Sequence, residues 1–163
     1  MSTPTGTLTL ESLSSENTFA MAQALGRLIL RPCRLALSGD LGAGKTLFVQ
    51  GFARGLGVPE NVYVTSPSYA LIHAYTARLP LYHADLYRLG HMEEVLDIGL
   101  PDLMASESVT VVEWAERMED TEIFDIRIHI EIHGETTRKL HAQAYGLHFQ
   151  DLLRSWQQVC PPA

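Results

Sequence analysis

The sequence predicts a three-layer α/β domain whose central sheet mixes parallel and antiparallel strands. Short apolar runs at residues 35–37 and 109–112 are typical of strands buried on both faces. By contrast, isoleucine occupies every second position of residues 126–132 and alternates with polar residues, which indicates a half-buried antiparallel strand. Helical segments lie between these runs, so we expect helices to pack against the sheet.

The first half of the chain contains two predicted helices and a predicted strand pair. Ser14 or Ser15 can cap the first helix, and Pro32 ends it. The second helix is expected from Lys45 to Leu56, with a glycine as its stop. Residues 63–77 and 79–86 are rich in β-forming residues and look extended. Their connection is short, so they are expected to pair antiparallel.

The second half continues the alternation of helices and strands. Residues 92–98 are expected to form a short helix. The isoleucine-rich strand is followed by a turn at 133–135, and alternating apolar residues at 140–144 predict its return strand. A last helix is expected over 146–159. Because no repeat or linker divides the sequence, residues 1–163 are expected to form a single domain.

Composition limits the classes of function. The 163 residues carry a net charge of -7, with 12 basic and 19 acidic side chains. A protein that binds nucleic acid unaided usually has a basic face, so contact with nucleic acid is expected only through a partner. No apolar run reaches the roughly 20 residues that span a bilayer, and the N-terminus lacks the pattern of a secretory signal. Cys33 and Cys160 are expected to be unpaired thiols of a cytoplasmic protein.

Residues 39–46 read Gly-Asp-Leu-Gly-Ala-Gly-Lys-Thr and match the phosphate-binding pattern G-x-x-x-x-G-K-[ST]. The pattern follows a predicted strand and opens a predicted helix, as this loop requires. Glycine lets backbone N–H groups approach a phosphate, which also meets the positive end of the helix dipole. Lys45 is expected to reach the β- and γ-phosphates, and the Thr46 hydroxyl to bind Mg²⁺. The expected nucleotide contacts of this segment are Gly39, Asp40, Leu41, Gly42, Ala43, Gly44, Lys45, Thr46 and, through its backbone N–H, Leu47. The N-K-x-D motif of GTPases is absent, which favours ATP.

Two acidic residues, Asp85 and Glu113, are predicted to complete this site. A P-loop enzyme needs a carboxylate near Mg²⁺, usually at the C-terminal end of a neighbouring strand. Both acids lie at or near the end of a predicted strand, and with Lys45 they are the predicted catalytic residues. Asp85 could instead be a surface partner of Arg88, and Glu113 an exposed loop acid. Spacing alone does not rank the two.

Other residues near these acids allow two interpretations each. The seven histidines show no metal-binding spacing, so His83 is interpreted as structural rather than as a proton relay. Trp114 is expected to pack in the core, although it could stack on a base or a partner. Ser66-Pro67-Ser68-Tyr69 predicts a turn, which could also become ordered around a γ-phosphate.

Four stretches together resemble the bacterial TsaE family: residues 39–46, 65–69, 83–89 and 112–116. They occur in the order and spacing of that family, and the resemblance extends from about residue 14 to residue 141. It implies a P-loop NTPase-like fold and a Mg²⁺-dependent ATPase that is slow when alone. It also implies work with the TsaB–TsaD pair, which transfers a threonylcarbamoyl group to an adenosine of tRNA. Contact with tRNA would then be indirect.

The resemblance also implies roles for single residues. Lys45 would hold phosphate, while Thr46 and Glu113 would bind Mg²⁺. Asp85 would orient the metal shell or the attacking water. The further implied nucleotide contacts are Ser68 in a switch-like loop, and Thr18 and Arg138 near the adenine.

Three positions depart from the family pattern. Leu47 stands where a second threonine is usual, so only its backbone N–H remains for phosphate. Ser68 replaces a threonine and keeps the hydroxyl. Ala115 replaces a proline after Trp114, which predicts a looser turn.

A small-molecule kinase that uses the same loop is the main alternative. Such an enzyme usually closes an arginine-rich lid over the phosphates, and here Arg88 and Arg117 are isolated. A binding module that uses slow hydrolysis as a timer differs from an ATPase only in degree. Stimulation of hydrolysis by partner proteins would separate the partner-dependent ATPase from an independent enzyme.

Overall fold

A computed structural model describes residues 2–163, which form a seven-stranded sheet with helices against both faces. The strands are β1 (Gly6–Ser12), β2 (Cys33–Ser38), β3 (Ile72–Tyr75), β4 (Leu81–Asp85), β5 (Val109–Glu113), β6 (Ile126–Ile132) and β7 (Arg138–Ala144). The helices are α1 (Ser15–Leu28), α2 (Lys45–Leu56), α3 (Met92–Asp97), α4 (Leu100–Met104) and α5 (Leu147–Val159). A single 3-10 turn covers Ala115–Arg117.

The sheet order is β1-β7-β6-β2-β5-β4-β3. The central strands β6, β2, β5 and β4 are parallel, and antiparallel strands flank them on both sides. This arrangement confirms the predicted mixed α/β fold. In the register, Glu113 pairs with Leu37 on one side and with Asp85 on the other. The C-terminal ends of three adjacent strands therefore meet at one edge of the sheet.

Two apolar cores lie on opposite faces of the sheet. Leu35 and Leu37 of β2 join the core formed with α1, α2 and α5, where Trp156 is fully buried. Ala36 joins the smaller core formed with α3 and α4. Burial on both faces explains why residues 35–37 form an uninterrupted apolar run.

Helix α2, which follows the glycine loop, is held closely against α1. The two helices approach at glycines, and a Cβ added to Gly55 would lie only 2.1 Å from the Gln23 carbonyl oxygen. Arg78 donates hydrogen bonds to carbonyls at the ends of both helices, including Gly26 at 3.0 Å and Gly55 at 2.9 Å. These contacts leave α2 little room to shift along α1.

Most predicted boundaries agree with the structure. Ser14 caps α1 by accepting a hydrogen bond from the Asn17 backbone N–H at 3.0 Å. Helix α2 spans the predicted residues and stops at Gly57, whose φ is 107°. The predicted antiparallel pairs β3–β4 and β6–β7 are present. Cys33 and Cys160 are unpaired, and no helix within residues 2–163 is both long and apolar enough to span a bilayer.

The extended segment predicted over residues 63–77 is wrong for most of its length, because only Ile72–Tyr75 forms a strand. Pro67 has no N–H to donate to a sheet, and Leu71 adopts a left-handed backbone with φ of 69°. Residues 68–70 form a turn instead. Strand β1 and helix α4 were not predicted.

Candidate functional site

The glycine loop connects the end of β2 to the start of α2. Its glycines have left-handed backbones, with φ of 141° at Gly39, 82° at Gly42 and 104° at Gly44. A Cβ on Gly39 would lie 2.4 Å from the Ile130 carbonyl oxygen, so only glycine fits there. A Cβ on Gly42 or Gly44 would meet no atom within 4 Å. The loop therefore borders open space at the helix N-terminus, where a phosphate is favoured.

Lys45 lies folded back over this loop. Its Nζ donates to the carbonyl oxygens of Gly39 at 2.7 Å and Asp40 at 3.0 Å. The same atom lies 4.0 Å from the centre of the Trp114 ring, which is cation–π distance. Burial lowers the pKa of Lys45 below its usual value, and nearby carboxylates, Glu113 first, oppose that fall.

Glu113, at the end of β5, contacts the first turn of α2. The Thr46 hydroxyl donates to its carboxylate, with Oγ1 3.0 Å from Oε1 and 3.2 Å from Oε2. His83 lies on the neighbouring strand β4, and its Nε2 is 2.7 Å from Glu113 Oε1. Glu113 is only 2% exposed, so it is not an exposed loop acid.

Asp85, at the end of β4, is held by a different set of donors. The Ser66 hydroxyl donates to Oδ2 at 2.9 Å, and the Tyr87 backbone N–H donates to Oδ1 at 2.9 Å. Arg88 does not pair with Asp85 but stacks on the Tyr69 ring, 4.0 Å from its centre. Asp85 is 5% exposed, so the alternative of a surface ion pair with Arg88 does not hold.

These residues meet in an open cleft of about 410 Å³. Its lining is Leu41, Gly42, Gly44, Lys45, Thr46, Leu47, Ser66, Ser68, Asp85, Tyr87, Arg88, Glu113 and Trp114. Two carboxylates beside an anion-binding loop would repel a phosphate unless a cation lies between them. One hydroxyl and two carboxylates suit Mg²⁺, which keeps several waters and shares substrate phosphates rather than filling an all-protein cage. Residues 2–163 contain no group of three or more His, Cys, Asp or Glu that could enclose a metal.

Arg138 supports the glycine loop from the β6–β7 hairpin. Its Nε donates to the Ala43 carbonyl at 3.0 Å, and its Nη1 donates to the carbonyls of Gly134 at 3.0 Å and Thr137 at 2.9 Å. The guanidinium therefore joins the hairpin turn to the phosphate loop. This contact places Arg138 next to the predicted nucleotide site.

Comparison with known proteins identifies the family. A family model described as "Threonylcarbamoyl adenosine biosynthesis protein TsaE" matches residues 12–141. The chain belongs to the TsaE family. Among curated TsaE proteins, that of Bacillus subtilis is 36% identical over 144 residues, covering 86% of this chain and 88% of the relative. That of Treponema pallidum is 42% identical over 107 residues, covering 66% of this chain and 78% of the relative.

A solved structure agrees with this assignment. The crystal structure of Bacillus subtilis YdiB superposes with a TM-score of 0.77 and 32% identity, covering 96% of this chain and 98% of that one. The four motifs that resemble TsaE proteins all lie within the stretch that the family model matches. In the fold, residues of all four motifs line the same cleft.

Two of the positions that depart from the TsaE pattern, Leu47 and Ser68, line the cleft. Trp114 has a left-handed backbone with φ of 59°, and the 3-10 turn begins at Ala115 without the usual proline. Trp114 thus faces Lys45 in the cleft, although it also packs partly against the smaller core.

Thr18 lies outside this cleft. Its side chain is 2% exposed, and its hydroxyl is 2.6 Å from the Ser12 hydroxyl. This pair connects α1 to β1, a strand that the sequence did not reveal. Thr18 is not among the residues that line the cleft, so its contact with a nucleotide remains a prediction.

His83 lies closer to the site than its interpretation as a structural residue requires. Its ring contacts the Glu113 carboxylate, which also accepts the hydrogen bond of the Thr46 hydroxyl. A signal was present, because His83 and Asp85 are two residues apart on one strand and so share a face. That face also carries Glu113, which could not be known before the pairing of β4 with β5.

Proposed function

We propose that this chain binds ATP with Mg²⁺ and hydrolyses the ATP to support formation of threonylcarbamoyladenosine in tRNA. The observation that carries the proposal is the contact between Thr46 and Glu113 beside an open glycine loop. A hydroxyl and a carboxylate adjacent to a phosphate cradle are the protein ligands that P-loop enzymes use for Mg²⁺. Membership of the TsaE family supports the pathway.

In this proposal Lys45 changes its hydrogen-bond partners when ATP enters the cleft. Lys45 leaves the Gly39 and Asp40 carbonyls and turns its ammonium toward the β- and γ-phosphates. Thr46 and Glu113 would hold Mg²⁺, which when bound neutralises charge that develops on the phosphates. The N–H groups at the start of α2 hold the phosphates in place, so the groups that stabilise charge are oriented before the reaction begins.

Asp85 has the better position for orienting the attacking water. Its Oδ2 accepts from Ser66, which belongs to the loop that precedes β3, whereas Glu113 faces the magnesium ligand Thr46. A γ-phosphate that drew Ser66 away would free one oxygen of Asp85 to accept a proton from water. We therefore assign the metal chiefly to Glu113 and the water to Asp85.

The partners in this proposal are TsaB and TsaD, with tRNA reached only through them. The net charge of -7 supports indirect contact, because a chain with 12 basic and 19 acidic residues has little to bind a phosphate backbone unaided. Hydrolysis would be slow until those partners complete the site.

The test is ATP turnover with Mg²⁺, measured for the chain alone and with TsaB–TsaD and tRNA added. We expect a slow basal rate and strong stimulation by the partners. Glu113→Gln should lower hydrolysis about 10²-fold or more while leaving ATP affinity within a few-fold, since it removes charge from the metal shell. Glu107→Gln is the matched control, because Glu107 is exposed at the opposite end of β5.

Two results would contradict the proposal. A Glu113→Gln variant with normal hydrolysis would remove Glu113 from the site. A fast rate without partners, accompanied by a newly phosphorylated small molecule, would support the kinase alternative instead.

A further inference from the structure

His83 is a buried polar side chain with a single described polar contact. It is 0% exposed, and its Nε2 lies 2.7 Å from Glu113 Oε1. Its other ring nitrogen, Nδ1, has no hydrogen-bond partner within the described residues. If His83 served only for packing, an apolar side chain would serve as well and would not leave a buried nitrogen without a hydrogen-bond partner. The position therefore gains little from histidine except the contact with Glu113.

The contact matters because the Thr46 hydroxyl alone does not fix the orientation of the Glu113 carboxylate. In the structure this hydroxyl donates to the carboxylate with its oxygen 3.0 and 3.2 Å from the two carboxylate oxygens, so it does not select between them. A hydroxyl has one hydrogen and two lone pairs, so Thr46 can bind Mg²⁺ through a lone pair and still donate to Glu113. His83 contacts Oε1 alone and is therefore the donor that distinguishes the two oxygens.

We propose that His83 is a positioning residue that donates its Nε2–H to Glu113 Oε1 and so directs the other carboxylate oxygen, Oε2, toward the metal. The inference rests on the proposed role of Glu113 and extends it. A carboxylate accepts hydrogen bonds, so the contact requires the tautomer with hydrogen on Nε2. Partners of this kind orient metal ligands, and their loss typically lowers metal affinity or activity about 10- to 100-fold.

The first test uses variants of the full chain. His83→Leu removes the donor, whereas His83→Gln keeps an N–H at similar reach. We expect His83→Leu to lower kcat and to raise the half-saturating Mg²⁺ concentration, by about 10- to 100-fold in combination, with ATP KM nearly unchanged. His83→Gln should recover most of the loss.

The matched control is Thr110→Val, which keeps the volume of a buried polar side chain on the adjacent strand. The Thr110 hydroxyl is fully buried without a partner in the described part of the chain, and it lies on the opposite face of the sheet from His83. We expect Thr110→Val to keep wild-type kcat and Mg²⁺ dependence. An equal loss in the control, or failure of His83→Gln to recover activity, would overturn the positioning role.

The second test does not depend on hydrolysis. Ring ¹⁵N NMR spectra of the unliganded wild-type protein report which nitrogen of each histidine carries hydrogen, and His83→Gln identifies the His83 signals. The Nε2–H tautomer supports the proposal, and the Nδ1–H tautomer overturns it. Because the spectra are recorded without ATP or Mg²⁺, they test the contact even if Glu113 proved unnecessary for hydrolysis.

Discussion

Replacing Lys45 by methionine is the sharpest test of the phosphate site. Methionine keeps much of the aliphatic length and removes the charge, so the loss of binding can be attributed to the ammonium. Lys45 is 5% exposed, and its Nζ contacts two loop carbonyls and the face of Trp114. An ammonium about 4 Å from a phosphate charge gains about 4 kcal/mol at an effective dielectric constant of about 20.

Part of this gain is offset by the contacts that Lys45 gives up. Exchanging the two carbonyl hydrogen bonds and the ring contact for a phosphate costs about 1 to 2 kcal/mol. The net contribution is therefore about 2 to 3 kcal/mol, which corresponds to a Kd for ATP weakened about 30- to 150-fold. Removing a buried ammonium whose pKa is lowered by burial should not destabilise the unliganded protein by a comparable amount.

Calorimetric titration with ATP and Mg²⁺ measures this change directly. Lys139→Met is the matched control, because Lys139 is the other lysine of the sequence and lies on β7. We expect the control to bind within about twofold of wild type, because Lys139 is not among the residues that line the cleft. A Lys45→Met variant that binds ATP within threefold of wild type would refute the assignment of the loop.

Three further predictions concern stability, fluorescence and thiol reactivity. In Gly51→Ala the new Cβ would lie 2.3 Å from the Phe19 carbonyl oxygen, so the free energy of unfolding should fall by about 1 to 3 kcal/mol or more. Differential scanning calorimetry should show a lower Tm, whereas Gly90→Ala, with 3.8 Å to its nearest neighbour, should match wild type. ATP should change tryptophan emission through Trp114, which faces Lys45. The change should vanish in Trp114→Phe, because the remaining Trp156 is fully buried and does not line the cleft. Burial raises the pKa of Cys160 to about 11 and that of Cys33 well above its usual range, so both thiols are protonated at pH 8. Reaction with a disulfide reagent should therefore be slow at pH 8. At Cys160 the reaction should become faster as the pH approaches 11, whereas Cys33 should react only after unfolding. Rapid labelling of both thiols at pH 8 would contradict this prediction.

Local patterns predicted those elements whose burial is regular. Helix α2 was found with its boundaries because the glycine loop precedes it and Gly57 stops it. The β6–β7 hairpin was found because isoleucine alternates along one strand and small apolar residues along the other. In both cases the period of the sequence and the burial in the fold coincide.

Elements that depend on distant pairing were harder to predict. Strand β1 pairs with β7 through Gly6 and Ala144, residues far apart in the sequence. Its alternation of threonine and leucine was a usable signal, but this seven-residue strand lies at the edge of the sheet, and its pairing with β7 cannot be read from local sequence. The insertion of β5 between β2 and β4 likewise cannot be read from local sequence, and it is this insertion that brings Glu113 beside Thr46.

The two walls of the cleft differ in how firmly they are held. On one side, glycine contacts with α1 and the Arg138 hydrogen bond to Ala43 fix α2 and its loop. On the other side, the segment at residues 65–71 is attached at its end by the hydrogen bond from the Asp85 backbone N–H to the Leu71 carbonyl at 3.1 Å. Before that point its contacts include the bond of exposed Ser66 to Asp85 and the stack of Arg88 on Tyr69, which is 84% exposed. Exposed contacts compete with water and open at lower free energy than buried ones. We therefore expect a bound γ-phosphate to reorganise this segment rather than the glycine loop. Asp85 would then change its partners, and any signal to a docked protein would begin at its Ser66 contact.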